Sequence, residues 1–361
     1  LKILQLIHRS QKRGAEAFAC QLSNHLTARG HDVRIVSLYE GSASLPFEGE
    51  VECLEAIPSR KLINFNAWRK LAAVVTDFHP DVVQANSGDT LKFAVFSKTF
   101  FRWSHPIIFR NASEVGRYLT STPQKLLNSF LYRNVDQVIS VSQASERDIL
   151  NHFPFLRGKT EVIPVGLEKT LGGIEEVSLE PYGAKHIIHV GGFSFEKNHK
   201  GLMRIFQALF KSKTDLHLHL IGDGLLRPEI QQEVSRLGFD GMVTLYGFVD
   251  NPLAYIKAAD VLVLPSIIEG LPGVLLEAMY CKTPVVAYDV GGISEIVLPH
   301  TGRLIPKGNE HAFATAILDT FNSPDSSKIE NAYKLVLRDY LNAKIAKEFL
   351  HAYNSLIASK N

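Results

Sequence analysis

Cysteine is scarce here: Cys20, Cys53 and Cys281 are the only three in 361 residues, and they lie far apart. No Cys-x-x-Cys pair or Cys/His cluster has zinc-ligand spacing, which argues against a zinc-built or disulfide-stapled fold and predicts free thiols. No apolar run reaches the ~18 residues that a membrane-spanning helix needs. The opening residues 1–7 are too short and too soon charged for a signal peptide and read as a buried strand, so a cytoplasmic location is expected. Neither sign of charge dominates: 39 basic residues face 37 acidic ones, too balanced for a protein that coats nucleic acid. No Asp-x-Asp motif occurs anywhere.

What is present is an alternation of strand and helix. Apolar runs at 2–7, 33–38, 82–85, 107–109 and 137–141 predict strands, with helices near 15–29, 63–78, 89–102, 123–134 and 143–152. Phe18, Leu22 and Leu26 recur every fourth residue, and Gly30 follows where a left-handed residue stops a helix. The pattern restarts with strands at 187–190, 216–221, 243–245, 261–264 and 285–287 and helices near 200–210, 226–237, 252–258, 273–280 and 309–321. A helical stretch at 327–357 follows. This grammar implies an α/β protein with two doubly wound, Rossmann-like domains facing a central cleft, where ligands meet the carboxyl ends of the strands. The expected division is a first domain at 1–166, a Gly/Pro-rich linker at 167–183 and a second domain at 184–342, with a helix at 343–358 packing back on the first.

The richest segment runs from Leu264 to Met279. A strand ends, a loop follows, and a helix opens near Pro272, a residue suited to a first turn. The free N–H groups and positive dipole end of that helix suit a diphosphate. Glu269 in the loop and Glu277 on the helix suit pairs of sugar hydroxyls. The segment therefore fits a ligand with a diphosphate between hydroxylated rings; a capping acid plus a surface glutamate is the plainer alternative.

Glu269 and Glu277 form a Glu-x7-Glu pair. Together with Glu269-Gly270-Leu271-Pro272, Glu277-Ala278-Met279, Pro284-Val285-Val286-Ala287 and the Gly-Gly-Ile-Ser-Glu-Ile-Val of 291–297, it resembles the donor-binding domain of family-4 retaining glycosyltransferases of the GT-B fold. Residues 245–250 resemble that family's base-contacting loop, 138–142 and 162–166 the end of its first domain, and Arg13-Gly14-Ala15-Glu16 its Gly-Gly-Ala-Glu loop. The resemblance extends over nearly the whole sequence. It implies transfer, with retention, of a hexose or N-acetylhexosamine from a nucleoside-diphosphate sugar, UDP on family grounds, to a glycan or lipid-linked glycan. It implies no cofactor, the donor being a co-substrate, and no catalytic metal. Glu277 would hold the ribose hydroxyls and Glu269 the transferred sugar. Gly270, Leu271 and Pro272 would line the sugar and phosphate site, Phe248 and Val249 would flank the base, and Gly14 would allow close approach to the donor.

Two positions depart from the family pattern. Gly192 stands where an arginine is usual, while Lys197 keeps the lysine that meets the departing diphosphate; Lys200 or Arg13 would have to compensate. Asn111 stands where a histidine is frequent, and an amide can bond a sugar hydroxyl but cannot serve as a base. Arg110 beside it, like Arg13, is a candidate for an acceptor anion, with plain packing as the alternative. These departures keep a donor-binding subunit of little activity in view, beside a GT-B-fold sugar epimerase.

Other features carry two readings each. His217 and His219 alternate with leucines, as a polar strand face or a metal pair, and His189 reads as a core or cleft-edge residue. Gly222-Asp223-Gly224 reads as a turn or a nucleotide border. Residues 92–103 mix cations with Phe93, Phe96, Phe100 and Trp103; with Trp68, Arg69 and Lys70 they either pack on the sheet or rest on an anionic membrane.

Overall fold

The computed structural model describes residues 1–11, 14–60, 63–170 and 173–360. The chain divides into two compact units, Leu1–Glu168 with the segment from Asn342 onward, and Lys169–Leu341.

The first unit holds a parallel seven-stranded sheet of order β3-β2-β1-β4-β5-β6-β7. Its strands are β1 (Lys2–Arg9), β2 (Asp32–Tyr39), β3 (Val51–Cys53), β4 (Val82–Ala85), β5 (Ile107–Asn111), β6 (Gln137–Ser140) and β7 (Thr160–Val162). Its helices are α1 (Gly14–Thr27), α2 (Phe65–Phe78), α3 (Gly88–Phe101), α4 (Thr122–Arg133), α5 (Gln143–His152) and the last helix, α12 (Asn342–Ala358). Period-two alternation sends each strand's side chains to two cores. Leu4, Leu6, Val83, Ala85, Ile107 and Phe109 join the core under α2 and α3. Ile3, Val82, Ile108 and Ile139 join Phe18, Leu22 and Leu26 of α1 on the other face.

The helix α12 completes that second core. Ile345, Ala346, Phe349, Ala352 and Tyr353 form one apolar stripe at helical spacing, all fully buried, and each large side chain contributes roughly 1.5–3 kcal/mol. A polar ring fixes the helix on the sheet. The Tyr353 hydroxyl donates to Gln84 Oε1 at 2.6 Å, Gln84 Nε2 to Asn86 Oδ1 at 3.0 Å, and Asn86 Nδ2 to Gln5 Oε1 at 2.8 Å. All four residues are buried, so every bond in the ring replaces one with water.

The second unit holds a parallel six-stranded sheet of order β10-β9-β8-β11-β12-β13. The strands are β8 (Lys185–Val190), β9 (Leu216–Ile221), β10 (Val243–Gly247), β11 (Val261–Leu264), β12 (Val285–Asp289) and β13 (Arg303–Pro306). The helices are α6 (His199–Phe210), α7 (Arg227–Arg236), α8 (Pro252–Ala258), α9 (Gly273–Tyr280), α10 (Glu310–Asn322) and α11 (Ser326–Asp339). Strand order reverses between β8 and β11, so the helices that follow these two strands run to opposite faces of the sheet.

Three expectations change. The helical stretch at 327–357 is two helices, broken at Tyr340, where the backbone leaves helical geometry and the chain passes between units. Residues 169–183, read as a linker, count with the second unit: Leu179 is buried, Asn251 Nδ2 donates to Glu175 at 3.1 Å, and the Thr170 N–H donates to the Tyr280 hydroxyl at 3.2 Å. The edge strands β3, β7 and β13 were not foreseen, being short and only partly buried.

Candidate functional site

The loops after β8 and β11 meet at the point where strand order reverses. After β8, a glycine pair leads to a single helical turn over Phe195–Lys197, and Asn198 then adopts a left-handed conformation and caps α6 by accepting from the Gly201 N–H. After β11, residues 265–272 run to α9. The loops are laced together: the Ile267 N–H donates to the Glu196 carbonyl at 2.8 Å, and Asn198 Nδ2 donates to the Pro265 carbonyl at 3.0 Å. Lys307 Nζ holds the Ile267 carbonyl from the far side at 2.9 Å.

This lacing brings Lys197 and Glu269 together. Lys197 Nζ donates to Glu269 Oε1 at 2.6 Å, with the carboxylate about 10% exposed and the ammonium about 20%. The loop after β12 supports Glu269 from behind. Gly292 N–H donates to the Gly270 carbonyl at 2.7 Å, and a Cβ on Gly291, at φ +55°, would stand 1.9 Å from the Glu269 carbonyl oxygen. Only glycine tolerates that approach. Gly270, Leu271 and Pro272 are buried, and the helix α9 opens at Gly273 with Pro272 at its cap, where the helix near 273–280 was expected.

Glu277 lies within α9 and differs from Glu269 in one respect: among the described residues nothing donates a hydrogen bond to its carboxylate and no cation pairs with it. Part of the residue remains accessible, yet desolvation pushes its pKa up to about 7. A carboxylate without a partner retains its full capacity to accept hydrogen bonds.

On the other side of β8, Gly222 at φ +127° lets the segment after β9 press on the Gly191 carbonyl, where a Cβ would come within 2.2 Å. Gly222 pairs with Gly247 in an isolated antiparallel bridge and the turn itself comes later, at residues 225–226; the segment is laced to the β8 loop by the Phe193 N–H donating to the Asp223 carbonyl at 2.9 Å. At Gly192 a Cβ would meet only the Asp223 carbonyl, at 3.6 Å. Lys200, a suggested substitute for the missing arginine, pairs instead with Glu229 at 2.6 Å, and Arg13 lies outside the described residues. Arg227 was not foreseen. Its Nη1 donates to Asp223 Oδ2 and its Nη2 to the Leu245 carbonyl, both at 3.1 Å, beside Gly247. The Asp-x3-Arg spacing at a helix start was the available signal. Phe248 follows Gly247 and is 58% exposed, with Val249 half-buried next to it.

The histidines are structural. His219 Nδ1 lies 2.9 Å from the Tyr246 hydroxyl and its Nε2 2.9 Å from His186 Nδ1, while His217 meets Thr244 at 2.8 Å. Burial lowers all three, His219 to about 3. No cluster of metal-ligating side chains occurs among the described residues. His189 is wholly buried and lowered to about 4, with Nδ1 donating to the Val263 carbonyl at 2.9 Å.

In the first unit, Asn111 ends β5 fully buried, its Nδ2 donating to the Ser145 carbonyl at 3.2 Å and reaching Ser140 Oγ at 3.4 Å. Arg110 is 2% exposed, with its guanidinium 4.3 Å from the Phe18 ring centroid. Its Nε and Nη1 lack hydrogen-bond partners, and burial lowers its pKa to about 10. Gly14 begins α1 in the open, with nothing within 4 Å of an added Cβ, so no neighbour among the described residues requires glycine there.

Two family profiles match the sequence: "Glycosyltransferase Family 4" over residues 12–170 and "Glycosyl transferases group 1" over residues 184–323. The fold is GT-B, and the chain belongs to the group 1, family 4 glycosyltransferases. An uncharacterized glycosyltransferase of Methanocaldococcus jannaschii is 24% identical over 64% of this chain and 61% of its own length. A Campylobacter jejuni 4-alpha-N-acetylgalactosaminyltransferase, named for a diphospho-undecaprenol-linked sugar, is 28% identical over 59% of this chain and 58% of its own length. The chain thus spans about three-fifths of each of these relatives. The crystal structure of Anabaena HepE in complex with UDP-glucose superposes with a TM-score of 0.81 at 20% identity, covering 98% of this chain and 99% of that one.

Proposed function

We propose that this glycosyltransferase moves a hexose or N-acetylhexosamine from a nucleoside-diphosphate sugar, with UDP as the nucleotide, to a glycan or lipid-linked glycan, with retention at the anomeric carbon. The observation that carries the reading is Glu277, a desolvated carboxylate on the helix leading out of the Glu269 loop, with no partner among the described residues. Ribose hydroxyls are the donors it lacks. HepE with its UDP-glucose and the Campylobacter relative with its lipid diphosphate support the donor and acceptor classes.

In this reading the sugar's hydroxyls take over Glu269 and release Lys197 to face the diphosphate. The bond from the anomeric carbon to the phosphate oxygen breaks, and the bond to the acceptor oxygen forms on the same face. The acceptor's proton passes to the departing phosphate oxygen, so no protein base is required. Lys197 stabilises the charge on that oxygen, and the free N–H groups of Gly273 and Val274 at the α9 start add partial positive charge. Phe248 and Val249 flank the base. No metal or cofactor takes part. Arg13 stands as an acceptor-side cation, whereas Arg110 is buried against Phe18 and takes the packing role, and Gly14 leaves room for the donor.

The test is a thermal-shift panel of nucleotide sugars, followed by nucleotide release with candidate acceptors. Stabilisation by UDP-sugars and acceptor-dependent UDP release are expected; absence of both for UDP- and GDP-sugars alike would refute the reading. A donor-binding subunit of low turnover is the second reading. It is favoured by Asn111, whose amide nitrogen is engaged inside the fold, and by the open space at Gly192. Donor stabilisation without UDP release would select it.

A further inference from the structure

The net charge of +2 conceals an uneven distribution. Residues 55–78 carry four cations and two acids, Glu55 and Asp77, and residues 88–135 carry seven cations and two acids, Asp89 and Glu114. These segments, which include α2, α3 and α4, hold a net +7 and leave the remaining residues with −5. Among their cations, Arg69, Arg102 and Lys125 are exposed and form no ion pair among the described residues.

Exposed apolar side chains lie among the same cations. Ile63 is 72% exposed, Leu126 66%, Phe100 56%, Phe65 49% and Phe130 40%. Ring contacts join them into one strip: Phe65 to Phe100 at 6.0 Å, Phe100 stacked on Trp68 at 5.3 Å, Trp68 to Phe96 at 5.0 Å, and Phe96 stacked on Phe130 at 6.1 Å. Leu126 precedes Phe130 by one helical turn on α4. Of the residues singled out from the sequence, Phe93, Trp103 and Trp68 are in fact core, at 2%, 9% and 4% exposure. Trp68 underlies the strip, whose exposed surface comes from the ends of α2 and α3 and from α4.

A contiguous apolar patch on a soluble surface marks a contact site. The excess of cations around the exposed aromatic strip suits a continuous anionic surface, where aromatic rings enter the headgroup boundary and Lys and Arg lie on the headgroups. We propose that this face of the first unit seats the protein on an anionic lipid bilayer, with Phe65, Phe100 and Leu126 inserted and Arg69, Arg102 and Lys125 on the headgroups. The inference stands apart from the donor chemistry, since none of these residues belongs to the Lys197–Glu269 site.

Flotation of the chain with vesicles of phosphatidylcholine, alone or mixed with phosphatidylglycerol, tests it. Binding to the mixed vesicles at low salt, loss at high salt and no binding to phosphatidylcholine alone are expected. The Arg69→Glu/Arg102→Glu/Lys125→Glu variant should bind on the order of 100-fold more weakly, at roughly 5-fold or more per cation. Phe65→Ser/Phe100→Ser should also weaken binding, and if that pair misfolds the wholly exposed charge variant decides. Absence of flotation, or equal flotation of the charge variant, overturns the proposal. So does a dimer, seen by light scattering, that Phe65→Ser/Phe100→Ser dissolves while no vesicle binding occurs. UDP-sugar stabilisation of the charge variant, unchanged from the parent, separates this outcome from failure of the donor site.

Discussion

The two sheets treat the polar groups at their carboxyl-terminal edges in opposite ways. In the first unit, Gln5, Gln84, Asn86, Tyr353 and Asn111 bond to one another or to the fold, so each completes the structure. In the second unit, Lys197 and Glu269 have each other at 2.6 Å, and Glu277 has no partner among the described residues. Burying a polar group without a bond costs stability, so a fold retains one where another molecule supplies the missing bonds. The first edge is structural and the second is held ready for a ligand. Arg110 departs from this pattern, a buried guanidinium with two unbonded nitrogens against Phe18, and Trp68 Nε1 and Gln137 Oε1 in the same unit are likewise unbonded among the described residues.

The largest effect should come from Lys197→Ala. UDP-sugar turnover should fall on the order of 100-fold or more, measured by coupled UDP release, with melting shifted only slightly. Near-normal turnover would reduce the ion pair to scaffolding and remove the contrast between the two edges.

Next comes Glu277→Gln, which should weaken UDP binding about 10-fold by calorimetry, the loss of charge-assisted bonds to two hydroxyls. Its stability should hold or rise, because the variant removes a desolvated charge. The pH dependence has a definite sign. With its folded pKa raised to about 7, Glu277 is protonated below that value and accepts poorly, so UDP affinity should climb as pH rises through 7. The same shift lowers stability as pH rises from the ordinary carboxylate range toward 7, because ionisation then costs more in the folded state than in the unfolded one. The glutamine variant should flatten both curves; unchanged curves would place the titration elsewhere.

For the first unit the expectation is reversed. Tyr353→Phe should cost about 1 kcal/mol in chemical denaturation, leaving Gln84 without its short bond, and should leave UDP binding untouched. A change in donor affinity would blur the division between the edges. The smallest effect belongs to Gly192→Arg, a few-fold gain in turnover if the added cation reaches the diphosphate. The only neighbour of a new Cβ there is the Asp223 carbonyl at 3.6 Å, so lost stability would show that the space is not open.

Sequence periodicity alone established the helices and the central strands, because a buried face repeats every two residues in a strand and every three or four in a helix, as Phe18, Leu22 and Leu26 do. It also marked Glu269 and Glu277, since a loop between a strand end and a helix start is a local feature. Tertiary structure alone decided the partners. Lys197 and Glu269 are 72 positions apart and meet because the strand order reverses between β8 and β11. Tyr353 reaches Gln84 across 269 positions because the chain returns to the first unit after Tyr340. Which aromatic residues surface was settled the same way: Phe93 and Phe100 share one helix, yet Phe93 lies under it in the core and Phe100 stands at its end in the open. Local spacing encodes which side of an element is apolar. What covers that side, and which polar groups remain uncovered, depends on how distant elements pack.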